Sequence, residues 1–106
     1  MELKTLAENL GLEEDEFLEM VDLYLETSNA DYSAMEEAYR TNDADRLAER
    51  AHSIKGASGN LGFNEAYEAA KIIEETSRKG ILDGLKGPLA VLKSNLETIA
   101  TRYKPH

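Results

Sequence analysis

One short stretch of the chain combines residue types that can do chemistry: His52-Ser53-Ile54-Lys55-Gly56, followed closely by Gly59. The histidine offers an imidazole that can act as a nucleophile, and the lysine offers a permanent positive charge. Residues three apart on a helix share a face, so the Lys55 ammonium can approach any group that the imidazole carries. Each glycine inside a helix costs about 1 kcal/mol relative to alanine. Two glycines here therefore indicate that bare backbone is needed beside the histidine.

The elements that must position these residues are all predicted to be helices. Apolar residues recur at three- and four-residue spacing, and most glycines fall at boundaries, so we expect an all-α fold. A capping box, Thr5-x-x-Glu8, predicts a short first helix that ends at Gly11. Four longer helices are predicted at 13–41, 44–60, 64–79 and from Gly87-Pro88 to about 103. The first of these is one helix, or two with a bend near Ser28. N-terminal caps are predicted at 41–43 and at Asn64, and Gly62 is predicted to end the helix at 44–60.

Four such amphipathic helices with short connections predict an antiparallel four-helix bundle, with the short N-terminal helix packed over one end. We expect one domain over residues 1–106, with its core at about 13–103 and a frayed tail at 104–106. The residues expected to face inward are Leu6 and Leu10; Phe17, Val21, Leu25, Ser28, Tyr32, Met35 and Tyr39; Leu47, Ala51, Ile54 and Ser58; Ala66, Ala70 and Ile73; and Leu89, Leu92, Leu96, Ile99 and Tyr103.

The helical wheel places the histidine outside the bundle. At about 100° per residue, His52 lies about 135° from the inward direction of its helix. We therefore expect His52 to face solvent, with Lys55 beside it. Gly56 and Gly59 also point away from the core stripe, and we expect them to leave room for a bulky binding partner.

Composition excludes several classes of protein. The chain has 106 residues and a net charge of −9, with 12 acidic and two basic residues in the first 42. An acidic chain repels nucleic-acid phosphates, so no nucleic-acid binding is expected. The absence of cysteine excludes disulfides and thiolate metal sites. Neither a membrane-spanning run nor a signal-peptide pattern is present, so we expect a cytoplasmic protein with no membrane partner.

Residues 51–62 resemble the signature of histidine-containing phosphotransfer (HPt) domains, H-x-[LI]-K-G followed by small residues and a second glycine. The similarity in helical layout extends over residues 2–104. The resemblance implies that His52 accepts a phosphoryl group from a receiver-domain aspartyl phosphate, or from a kinase, and passes it to a receiver aspartate. It also implies that Lys55 neighbours the phosphate and that Gly56 clears space beside the imidazole. The implied partners are response-regulator receiver domains and a sensor histidine kinase.

Supporting residues are expected around this centre. Many HPt domains place a basic residue late on the next helix, and Arg78 is the first candidate, with Lys71 the second. Glu49, one turn before His52, could accept a hydrogen bond from one ring nitrogen and fix the tautomer. An exposed imidazole is largely neutral near neutral pH, which leaves the other nitrogen free to attack phosphorus. The sequence offers no second pair of carboxylates converging on His52, so we predict no metal site or cofactor here and expect the divalent metal on the receiver.

The sequence offers no glycine-rich nucleotide loop, so we predict a phosphoryl carrier and not an enzyme with its own ATP site. The alternative is a helical interaction module that docks a signalling partner without being phosphorylated. Met1 and the lack of a trailing linker favour a free-standing protein over a domain of a larger kinase, and a single exposed transfer site is expected to work in a monomer.

Overall fold

The computed structural model describes residues 3–103 and contains, over that range, five helices and no strand. The helices are α1 (Leu3–Asn9), α2 (Glu14–Arg40), α3 (Ala44–Leu61), α4 (Asn64–Arg78) and α5 (Lys86–Tyr103). The all-α prediction is therefore confirmed. The tail predicted at 104–106 lies outside the described residues.

The four long helices form the predicted bundle. Helix α2 packs against α3, α3 against α4 and α4 against α5, and α5 packs back against α2, which closes the ring. Helix α1 packs against α2. Its Leu6 side chain reaches the turn between α3 and α4, where a Cβ added to Gly62 would meet Leu6 Cδ2 at 3.1 Å. The short N-terminal helix thus covers one end of the bundle, as predicted.

Helix α2 is one continuous helix of 27 residues, not two. It begins with a capping box in which the Glu13 backbone N–H donates to Glu16 Oε1 at 2.9 Å. The predicted α2 stripe is buried except for Tyr39, which is partly buried, and the predicted inward residues of α3, α4 and α5 are all buried.

Besides an exposed ion pair between Arg46 and Glu37, two polar pairs with a buried member join α2 to α3. The hydroxyls of Tyr24 and Ser58 are hydrogen bonded at 2.7 Å in the core. About two helical turns away, Arg50 Nη1 donates to the buried Asp31 at 3.0 Å. Buried polar groups need such partners, so these pairs fix the rotation of α3 about its axis. That rotation determines which way His52 points.

The ends of α3 are as predicted. The Asp43 side chain accepts a hydrogen bond from the Arg46 backbone N–H at 3.1 Å, which caps the helix. Gly62 ends it in the left-handed conformation, with φ of 83°. A residue with a side chain would be strained at that φ, which explains the glycine.

Three local predictions were wrong. Thr5 lies inside α1, which already includes Leu3, so it does not cap the helix. Asn64 is the first residue of α4, and Phe63 occupies the cap position without a side-chain hydrogen bond. Phe63 is there because its ring belongs to the core, 5.2 Å from the Tyr24 ring. Leu10 was expected to face inward but is 39% exposed, because α1 ends at Asn9 and Leu10 lies in the turn that follows.

Candidate functional site

His52 projects from the outer side of α3. Its neighbours Ala51 and Ile54 are fully buried against the other helices, so the histidine is directed away from the core. The His52 side chain is 62% exposed. The predicted orientation is confirmed, and the imidazole is accessible to a large partner.

The ring is held by a carboxylate on the neighbouring helix. His52 Nδ1 lies 2.8 Å from Glu74 Oε2 of α4, and the Glu74 side chain is only 6% exposed. An ionised carboxylate can only accept hydrogen bonds, so Nδ1 carries a proton and donates a hydrogen bond to Glu74. In the neutral ring the unprotonated nitrogen is therefore Nε2, which forms no hydrogen bond with any residue from 3 to 103. Its lone pair is free for a bond to an electrophile.

Two cations share the same carboxylate. Lys55 Nζ lies 2.7 Å from Glu74 Oε1, and Arg78 donates to Oε2 from Nε at 3.0 Å and from Nη2 at 2.7 Å. We refer to these four side chains, His52, Lys55, Glu74 and Arg78, as the Glu74 cluster. It joins α3 to α4 across their outer groove.

The cluster keeps Glu74 ionised. Burial alone would raise its pKa, but hydrogen bonds from Lys55, Arg78 and His52 outweigh burial and lower the pKa of Glu74 from 4.5 to about 2. The hydrogen bond to Glu74 in turn raises the pKa of Lys55, against a smaller opposing effect of desolvation. At neutral pH the groove therefore holds one carboxylate and two permanent cations beside the imidazole.

The two glycines have different surroundings. A Cβ added to Gly56 would meet nothing within 4 Å, so the surface beside His52 is open there, as predicted. At Gly59 a Cβ would meet Cδ1 of the Tyr67 ring at 3.2 Å. The prediction that Gly59 leaves room for a binding partner was wrong, because Tyr67 of α4 already fills that space.

The structure changes part of the prediction for the residues that support His52. Arg78 reaches the site, but through Glu74 and not directly. Lys71 lies on α4 one turn before Glu74 and forms no ion pair with the described residues, so it is not part of the Glu74 cluster. Glu49 was expected to hold the ring, but the carboxylate on Nδ1 is Glu74. The histidine lies on the side of α3 that faces α4, so a carboxylate across the groove has the better approach.

Glu74 and Tyr67 were not identified from the sequence. The available signal for Glu74 was an acidic residue beside the apolar stripe Ala66, Ala70 and Ile73, four residues before a basic one. An (i, i+4) Glu–Arg pair is common on exposed helix faces, so that signal alone did not indicate a buried carboxylate.

Between residues 3 and 103, no group of three or more histidine, aspartate and glutamate side chains is arranged to hold a metal ion. None of the helices in that range is long and apolar enough to cross a membrane. The chemistry that the groove offers is that of an exposed nucleophilic nitrogen beside fixed positive charge.

Comparison with known proteins defines the class of protein. Residues 19–102 match the Hpt domain family, and the chain belongs to that family, whose members carry phosphoryl groups on histidine in phosphorelays. Among solved structures, the chain is similar to histidine-containing phosphotransfer protein B (HptB) from Pseudomonas aeruginosa PAO1. The two are 25% identical, with a TM-score of 0.84 over 94% of this chain and 87% of the other. No curated protein sequence matches the chain.

Proposed function

We propose that Nε2 of His52 accepts a phosphoryl group from the aspartyl phosphate of a receiver domain, or from a sensor histidine kinase, and passes it to the aspartate of a receiver. The observation that supports this most directly is the exposed imidazole whose Nδ1 is hydrogen bonded to the buried, ionised Glu74. Nε2 is thereby left as the free nucleophile of the site.

The transfer needs no proton to leave the histidine. The Nε2 lone pair forms the N–P bond while the P–O bond of the aspartyl phosphate breaks, and the aspartate departs with the electron pair. The ring becomes positively charged because Nδ1 keeps its proton. The Glu74 carboxylate, 2.8 Å from Nδ1, stabilises that charge as it develops.

Lys55 and Gly56 act on the incoming group. The Lys55 ammonium lies on the same helical face as the imidazole and supplies positive charge to the phosphoryl oxygens. Gly56 leaves the space that the partner needs to approach. The divalent metal that assists the reaction is expected on the receiver, because phosphoryl transfer depends on positioning and charge neutralisation from both proteins.

The proposed role of His52 also indicates the partners. Receiver domains and a sensor histidine kinase would dock on the groove between α3 and α4, where His52 is exposed. One copy of the chain presents a complete site, so we expect the monomer to be active in the cytoplasm, without an ATP site of its own.

The test is transfer from a receiver whose aspartate carries a radiolabelled phosphoryl group. The label should move to this protein and should be stable in alkali but lost in acid, as a phosphoramidate is. An acid-stable label would contradict the proposal. Complex formation without any label would favour the alternative, an interaction module that is not phosphorylated.

Replacing Lys55 with alanine should slow transfer about tenfold, because a charge-assisted contact to the phosphoryl group is lost. Stopped-flow or rapid-quench kinetics with the phosphorylated receiver measure this. Lys55→Arg should recover most of the rate, and Lys79→Ala, which removes a cation that has no ion pair with the described residues, should leave it unchanged. A wild-type rate in Lys55→Ala would show that Lys55 serves only the fold.

Gly56 and Gly59 give a matched pair of substitutions. Gly56→Leu should fold normally, since a Cβ there meets nothing within 4 Å, yet it should slow transfer about tenfold or more by obstructing the partner. Gly59→Leu should instead destabilise the bundle by about 1–3 kcal/mol, because its side chain collides with Tyr67. Thermal unfolding and transfer rates together distinguish the two; unimpaired transfer in Gly56→Leu would contradict the assignment of Gly56.

A further inference from the structure

A second surface feature lies on the other side of the bundle from His52. Helices α2 and α5 enclose an open cleft of about 470 Å³, lined by residues that include Tyr39, Arg40, Lys86, Leu89 and Lys93. The helices pack in the order α2, α3, α4, α5, with α5 back against α2. The α2/α5 cleft therefore lies on the side of the bundle opposite the α3/α4 groove, and a molecule bound in it would leave His52 uncovered.

The cleft collects positive charge in an otherwise acidic chain. The protein has a net charge of −9, yet Arg40, Lys86 and Lys93 form no ion pair with any of the described residues. Three other cations are also unpaired among the described residues, but none of them lines this cleft: Lys71, Lys79 and Arg102. Glu36 is the one acidic residue among those that line the cleft. Three unpaired cations therefore line one cleft together with a single carboxylate.

The start of α5 adds positive charge at the cleft, and a hydrogen bond joins the two helices that enclose it. Helix α5 begins at Lys86, so the positive end of an 18-residue helix lies at the cleft. The Tyr32 hydroxyl donates to the Leu89 backbone carbonyl at 3.0 Å. This hydrogen bond ties α2 to α5 beside the cleft.

The spacing of the cations indicates the shape of the ligand. Lys86 and Lys93 are seven residues apart on α5, which separates them by about 10 Å along the helix axis. They are spread along the cleft and do not converge on one small anion. An extended peptide advances about 3.3 Å per residue, so about three residues span that distance. Leu89, Ala90 and Tyr39 provide apolar surface between the charges.

We propose that the α2/α5 cleft docks an acidic, extended segment of a partner protein. Arg40, Lys86 and Lys93 bind its carboxylates, and an apolar side chain of the segment packs on Leu89 and Tyr39. Docking there requires only the cleft. Its consequence for signalling, that a partner stays tethered while His52 remains open to a receiver, rests on the proposed function.

A titration of the ¹⁵N-labelled protein tests this directly. The probe is a short synthetic peptide of aspartate and glutamate around a central leucine, and its counterpart with asparagine and glutamine is the control. The acidic peptide should shift the amide signals of residues 36–40 and 86–93 and leave those around His52 in place, and its binding should weaken as salt is raised. No shift, or equal shifts at Lys79 and Arg102, would overturn the proposal.

Charge reversal supplies the matched comparison. Lys86→Glu/Lys93→Glu should weaken peptide binding about tenfold or more, whereas Lys79→Glu/Arg102→Glu, with the same net charge, should change it by less than about twofold. Equal losses of affinity in the two variants would show that the peptide is attracted by overall charge and not bound at the cleft. Equivalent shifts with inorganic phosphate would make it a small-anion site, and wild-type dimers lost on charge reversal would make the occupant a second copy; either result overturns the proposal.

The two proposals fail separately. Phosphoryl labelling of His52 from an isolated receiver should persist in Lys86→Glu/Lys93→Glu even when peptide binding is lost. A wild-type protein that binds the peptide but accepts no phosphoryl group would refute the role of His52 and leave the cleft as described.

Discussion

His52→Gln should accept no phosphoryl group from a phosphorylated receiver, while its thermal unfolding stays close to that of the wild type. Glutamine keeps a polar side chain of comparable length but has no nitrogen lone pair able to attack phosphorus. The histidine side chain is 62% exposed, so the core does not depend on it. The expected loss is complete, because the only nucleophile of the site is removed.

The control for this variant is binding to the receiver. A complex of near wild-type affinity with no label shows that only the chemistry was lost. Label that persists in His52→Gln would place the phosphoryl group on another residue and remove the basis for the mechanism. Loss of both binding and folding is not expected from a substitution on an open surface.

Glu74→Gln should slow transfer by about ten- to a hundredfold, the scale on which loss of the hydrogen-bond partner of a metal-ligating histidine lowers activity. The amide is nearly the same size as the carboxylate but is neutral, and its NH₂ group can donate to the ring. A ring that accepts at Nδ1 carries its proton on Nε2, so the nucleophilic lone pair is lost. The positive charge that develops on the ring during transfer also loses its counter-charge.

Imidazole ¹⁵N spectra separate this positioning role from a merely structural one. The wild type should show the Nδ1–H tautomer, and Glu74→Gln should show a larger fraction of Nε2–H. Glu49→Gln is the matched control on α3 and should change neither the spectrum nor the rate. A wild-type tautomer and rate in Glu74→Gln would contradict the assignment.

Glu74 also makes stability depend on pH. Its pKa is lowered from 4.5 to about 2 in the folded protein, so its contribution is fully present above about pH 4.5 and is lost as the pH falls towards 2. The shift corresponds to about 3 kcal/mol at most, and screening at the bundle surface reduces this to about 1–2 kcal/mol. Chemical denaturation between pH 6 and about pH 2.5 should show a smaller decline for Glu74→Gln. Equal declines would show that Glu74 is not held ionised by its partners.

The sequence predicted the fold well because apolar spacing reports directly which side of each helix is buried. The stripe of Leu47, Ala51, Ile54 and Ser58 fixed the orientation of α3 and therefore the exposure of His52. The helix ends were predicted less well. Phe63 takes the cap position of α4 because its ring packs on other aromatic rings, and that tertiary contact is not visible in the local sequence.

The site was predicted only where it depends on one helix. Residues of α3 that share a face, such as His52 and Lys55, follow from helical periodicity alone. The partner of Nδ1 depends on how α4 is rotated and shifted against α3, and periodicity does not determine that register. Glu49 was selected because it is near in sequence, whereas Glu74 is near in space. The contact between Tyr67 and Gly59 also depends on the register of α4 against α3, so the sequence did not predict it.

The central claim is that the phosphoryl group resides on Nε2 of His52 while Nδ1 remains bonded to Glu74. Long-range ¹H–¹⁵N correlation spectra of the phosphorylated protein, with histidine labelled in the ring, measure this most directly. We predict phosphorus coupling at Nε2 and a protonated Nδ1. A phosphoryl group on Nδ1, or a labelled protein whose His52 ring is unmodified, would contradict the account.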